Sequence, residues 1–123
     1  MSDNVNHPAH YASRDIGYEC IDIVQYQTFL VGNAIKYLWR YKDKGNPVED
    51  LEKARWYARR ASMMQEHVDT AIGYCESILR RLIASTTGHE RSAWTGIFLY
   101  DWHKTLEAID KMIKETQNGT QVD

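Results

Sequence analysis

Between Gly32 and Arg60 the chain reads GNAIKYLWRYKDKGNPVEDLEKARWYARR, and this stretch holds the side chains most able to bind something. Residues 36–60 carry eight of the 15 Lys and Arg but only four of the 17 acids, a local balance of +4, while the segments before and after are each −3. Arg presents a planar fork that matches phosphate oxygens in pairs, and Lys adds a compact point charge. Trp and Tyr offer faces on which a base can stack, and Asn can read the base's hydrogen-bonding edge. The mixture therefore points to an anionic ligand with a flat ring. The phosphate-binding candidates here are Lys36, Arg40, Lys44, Lys53 and Arg60; the base-stacking or base-reading candidates are Asn33, Tyr37, Trp56 and Tyr57. The bland alternative is a solvated charged face whose aromatics belong to the core.

A second candidate group lies near the start. His7 and His10, an HxxH pair beside Tyr11, offer phosphate contact, with Tyr11 able to meet a base. Two histidines are too few ligands for a structural zinc site. A third group is acidic: Glu49 and Glu52, then Glu66 and Asp69, at a spacing that resembles the ExxE…ExxD pattern of MazG-type all-α nucleotide pyrophosphohydrolases. There, carboxylates on facing helices hold Mg²⁺ over a triphosphate. Such pairs are common in acidic helices, and Glu49 also suits a helix N-terminus. No nucleophile elbow occurs, and neither Cys20 nor Cys75 has a base beside it in sequence, so no catalytic residue is assigned.

These residues need helices to position them. Asn33, Lys36, Tyr37, Arg40 and Lys44 recur at the three- and four-residue spacing that stacks side chains on one helical side, while Leu30, Ala34, Ile35 and Leu38 form the apolar face. The spacing predicts a helix over about 29–43, with Gly45 after its end. Pro47 near the first turn and the acids Glu49 and Asp50 then start a third helix with a stripe of small residues, Leu51, Ala54, Ala58 and Ala61. A shorter helical segment precedes Thr28, which either separates two helices or sits within one bent helix. Helical period resumes over 68–84, with a break near 66–69; Thr86–Arg91 reads as a loop. Ser92 is placed as the N-cap of one long last helix.

The expectation is an all-α fold, a compact bundle of four or five helices with an N-terminal extended arm (residues 1–18), a single helical domain (19–117) and a frayed tail (118–123). At 123 residues the chain suits one domain. Its net charge of −2 argues against bulk nucleic-acid binding, and no apolar run is long enough to span a membrane. Two isolated cysteines fit reduced thiols in a cytosolic protein. The apolar surface expected on such helices suggests a homo-oligomer.

Four segments, NHPAHY (6–11), YECID (18–22), GNAIKYLWRYKDKG (32–45) and EDLEKARWYARR (49–60), together resemble the small bacteriophage proteins catalogued as SaV-like, a domain of unknown function. The resemblance covers roughly the first half of the chain. It implies phage origin, action in the cytosol of an infected bacterium, and a nucleotide ligand; one branch of the family is associated with deoxynucleotide kinase activity. The positions matching the family pattern are His7, His10, Tyr11, Asn33, Lys36, Tyr37, Arg40, Lys44, Asp50, Lys53 and Tyr57. Binding chemistry outweighs catalytic chemistry. The reading is therefore a non-catalytic binder, needing no cofactor, that sequesters a nucleotide-type host immune signal, cyclic or linear. The alternatives are a nucleotide-converting enzyme (a nucleoside monophosphate kinase-like phosphotransferase or an all-α pyrophosphohydrolase, either requiring Mg²⁺) and a protein-binding inhibitor of a host enzyme.

Overall fold

The computed structural model describes residues 14–43 and 45–122. His7, His10 and Tyr11 of the expected arm, and Lys44 in the turn, lie outside the described residues. Among the described residues there are six helices and no strand: α1 (Ile21–Val24), α2 (Phe29–Arg40), α3 (Pro47–Met63), α4 (Cys75–Ser85), α5 (Gly88–Phe98) and α6 (Trp102–Val122). The all-helical expectation holds, with one single-turn helix and one break beyond the four or five helices expected.

Each boundary has a local cause. Thr28 is extended and its hydroxyl accepts from the Val31 N–H at 3.2 Å, so it separates α1 from α2 rather than bending one helix. Asn46 caps α3 by accepting from the Glu49 N–H at 3.1 Å, and Pro47 begins the first turn, where its missing N–H costs nothing. α3 stops at Met63, a few residues before the expected break near 66–69. Gln65 adopts φ 58°, its N–H bonds Ser62 O at 3.1 Å, and the Glu66 N–H bonds Ala61 O at 2.9 Å, a Schellman stop built without glycine.

The last third corrects the expected single long helix. Its chain is already helical at Gly88, so Thr86–Arg91 is largely not a loop and Ser92 lies inside α5 rather than capping it. A second Schellman stop follows at Leu99–Asp101, with Tyr100 at φ 62° and the Asp101 N–H on Gly96 O at 2.8 Å. Asp101 then starts α6 by accepting from the Lys104 N–H. The reversal brings α6 hard against α5 at Gly96: a Cβ there would sit 2.7 Å from Thr105 N and 2.8 Å from Asp101 O. α6 runs through Val122.

α3 is the middle of the bundle, packed against α2 on one side and α6 on the other. Its stripe of Leu51, Ala54, Ala58 and Ala61 is fully buried, and small side chains let both neighbours approach closely. Trp39 from α2 and Trp94 from α5 fill much of the remaining core, and α4 closes it with Ile78, Leu79 and Leu82. Between α3 and α4 an irregular strap is tied to the start of α2 by Gln27, whose side-chain amide donates to Asp69 O at 3.0 Å and accepts from Asp69 N at 2.7 Å. Among the described residues no helix is long and apolar enough to cross a membrane.

Candidate functional site

Phe29, Asn33, Lys36 and Arg40 form one line along α2, because residues three and four apart share a side of the helix. Lys53 and Tyr57 rise beside that line from α3, which packs on α2. The rings of Tyr37 and Tyr57 stack, with centroids 5.9 Å apart and planes 8° apart. Three cations gather on Tyr37: Lys36 Nζ at 4.6 Å from the ring centroid, the Arg40 guanidinium at 4.8 Å and Lys53 Nζ at 5.4 Å. Phe29 meets Tyr57 edge-on at 5.8 Å.

Two shallow hollows flank this cluster. One, of about 230 Å³, is lined by Arg40, Gly45, Asn46, Glu49, Asp50 and Lys53. The other, of about 200 Å³, includes Phe29, Gly32, Asn33 and Lys36 in its wall. Lys36 thus belongs to the second hollow and to the cation cluster at once. Phe29 and Arg40 are eleven residues apart, about 16 Å along the helix at its regular rise.

The charges are not equally free. Arg40 Nε lies 3.5 Å from the buried Asp50 Oδ2, an ion pair mostly closed to solvent. Lys53 holds Glu49 at 3.0 Å on the surface; that contact, more than the neighbouring charges, raises the Lys53 pKa. Exposed pairs of this kind contribute little and exchange readily. Lys36 has no ion-pair partner among the described residues. Of the three cations on Tyr37, its charge is the most available to an incoming anion.

The structure brings Lys36, Tyr37, Arg40, Lys53 and Tyr57 together. The remaining candidates among the described residues are not part of that cluster. The Asn33 side chain donates to Phe29 O of its own helix at 2.8 Å. Tyr37 does not offer a free face for base stacking, since Tyr57 covers it and the three cations crowd it. Trp56 touches Tyr57 edge-on but sits on the outward side of α3, 57% exposed, and Arg60 is exposed beside it. Phe29, which was not among the sequence candidates, is 71% exposed; its four-residue step to Asn33 was the available signal.

The acidic quartet does not form a metal site. Glu49 and Glu52 lie in the first turns of α3, while Glu66 and Asp69 follow its far end. Glu49 lies about 21 Å along α3 from Met63, so the two acidic pairs sit at opposite ends of one helix rather than facing each other on two. Glu66 accepts instead from the Thr28 hydroxyl at 2.7 Å, and Asp69 Oδ1 from the Ala71 N–H. Among the described residues no three His, Cys, Asp or Glu side chains are grouped to hold a metal ion.

A second charged cluster had no counterpart in the sequence reading. Glu90, on α5, is buried and takes Arg14 Nη2 at 2.6 Å, Lys42 Nζ at 3.1 Å, Tyr41 Oη at 3.1 Å and Trp94 Nε1 at 3.2 Å. Arg14 also donates to Trp39 O and Leu38 O, closing the C-terminal end of α2. Burial pushes the Glu90 carboxyl up, but the Arg14 charge and the donated hydrogen bonds outweigh it and hold the carboxyl below its ordinary value. Burial, reinforced by the Glu90 charge, pushes the Tyr41 hydroxyl up. Both cysteines are free and buried. Desolvation raises the Cys20 thiol to about 12 despite the nearby Lys36, Arg14 and Arg40 charges, and raises Cys75 as well.

Residues 5–59 match the family model described as a protein of unknown function, DUF3310. The match takes in α1, α2 and α3 as far as Arg59, including every member of the Tyr37 cluster, and leaves α4, α5 and α6 outside. Neither the curated proteins nor the solved structures contain a match to the chain.

Proposed function

We propose that the α2–α3 face binds a phosphorylated small molecule bearing a flat ring, a nucleotide-type ligand, and holds it without converting it. The observation that carries this reading is the convergence of Lys36, Arg40 and Lys53 on one tyrosine, beside hollows at both ends of the line from Arg40 to Phe29. Each hollow is smaller than the roughly 300–1,000 Å³ of ligand-engulfing sites. The ligand therefore lies along the face, its phosphates at Lys36, Lys53 and Arg40 and its ring against Phe29 and Asn33.

Binding exchanges the surface Glu49 contact of Lys53 for phosphate, while the buried Asp50 pair keeps the Arg40 fork fixed. The cluster supplies orientation and charge, with no nucleophile and base assigned to it. The resemblance to SaV-like phage proteins supplies a setting in which such a binder acts by sequestering a nucleotide-type signal of the infected bacterium.

The test is to titrate the protein with a panel of linear and cyclic nucleotides by calorimetry, then denature the complexes and chromatograph what is released. Unchanged nucleotide supports the reading. Lys36→Ala is expected to weaken binding by about 1.5–3 kcal/mol, the range for hydrogen bonds to charged groups. New di- or triphosphate formed from added ATP and Mg²⁺ would make the face a phosphotransferase site. Failure of every nucleotide to bind would overturn the reading.

A further inference from the structure

Among the described residues, the outward side of α3 is a helix face that no other helix covers. Along it run Glu49, Glu52, Trp56, Arg59, Arg60 and Met63 at three- and four-residue spacing, all exposed, Met63 by 66%. Acids occupy the N-terminal half, arginines the C-terminal half, and the Trp56 indole lies between them. Glu52, Arg59 and Arg60 have no ion-pair partner among the described residues. Single exposed apolar residues are ordinary on a protein surface. Here the notable feature is the order of charge, because a helix face that is acidic, then aromatic, then basic is its own complement when reversed.

We propose that two copies of the chain pair antiparallel along α3, about a two-fold axis at the level of Trp56. Glu52 and Arg59 are seven residues apart, two turns, so each stands about 5 Å along the helix from that axis. Pairing sets Glu52 of each copy against Arg59 of the other, twice over, with the two indoles packed at the centre. Such an interface is isologous, the same patch serving both partners. A wholly acidic partner would be repelled by Glu49 and Glu52, and a wholly basic one by the arginines. Trp and Arg are the side chains that most often anchor interfaces. The axis runs across the helices, so the two Lys53–Tyr57 rims fall on the same side of the pair and stay open.

The full chain is examined by sedimentation equilibrium and light scattering over a wide range of concentration. The mass is expected to rise from the 14.4 kDa monomer toward twice that value. Trp56→Glu is expected to remain monomeric. Glu52→Arg and Arg59→Glu are each expected to weaken association about tenfold or more, since each sets like charges against one another. Mixed in equal amounts, these two variants are expected to pair at least as well as the wild type, a recovery that misfolded variants would not give. A wild type that stays monomeric, a Trp56→Glu variant that still pairs, or a mixture no better than its components would overturn the proposal. Nucleotide binding is read separately, so failure of the ligand reading leaves this result intact.

Discussion

The Glu90 cluster and the Tyr37 cluster use similar side chains to opposite ends. At Glu90 one buried carboxylate receives four donors, and Arg14 spends its remaining hydrogen bonds on the end of α2. At Tyr37 three cations crowd one ring, with two carboxylates between them, one of those pairs solvent-exposed. The first arrangement is saturated and ties the segment before α1 to α5. The second has positive charge to spare. A charged group that is buried and fully partnered serves the fold; one that is half exposed and under-partnered is available to a ligand.

The largest expected effect follows from the saturated side. Glu90→Ala strands the buried Arg14 and should cost about 3–5 kcal/mol in urea unfolding, the usual penalty for removing one member of a buried pair. Lys36→Ala should change stability by less than about 0.5 kcal/mol while weakening nucleotide binding. If the two substitutions had equal effects on unfolding, the contrast between the regions would be lost.

A pH series sharpens the comparison. Because the folded state holds the Glu90 carboxyl below its reference value of 4.5, its contribution is fully present above that pH and is lost as the pH falls through the lower, folded value. Unfolding midpoints should therefore drop on acidification below about pH 4.5, and Glu90→Gln should flatten that limb. The smallest effect concerns the thiols. With Cys20 raised to about 12 and both cysteines buried, a disulfide-exchange reagent at about pH 8 should react only after denaturant is added.

Much of the fold was legible because α2 and α3 advertise themselves: a periodic apolar face, Asn46-Pro47 at a helix start and acids in the first turn. The stops after α3 and α5 were not, because Gln65 and Tyr100 hold left-handed positions where glycine is the usual sign. Without that sign, Leu99 and Trp102 read as one continuous face. The site was legible to the extent that its members share two neighbouring helices. Spacing placed Lys36 and Arg40 in line, and the hairpin brought Lys53 and Tyr57 across. It did not reveal which rings would be consumed by packing on each other. Arg14 and Glu90 are 76 residues apart, and their pairing depends on how α5 docks, which no local pattern records.

The order in which the helices touch has a kinetic consequence. α2 with α3, and α5 with α6, are partners joined by short turns, so each pair closes only a small loop. The α3–α6 seam instead joins distant residues such as Arg55 and Asp110, 55 positions apart. That seam closes a longer loop than either hairpin, so Arg55→Ala is expected to slow refolding while Lys36→Ala leaves the rate little changed, a comparison that stopped-flow refolding of the two variants makes.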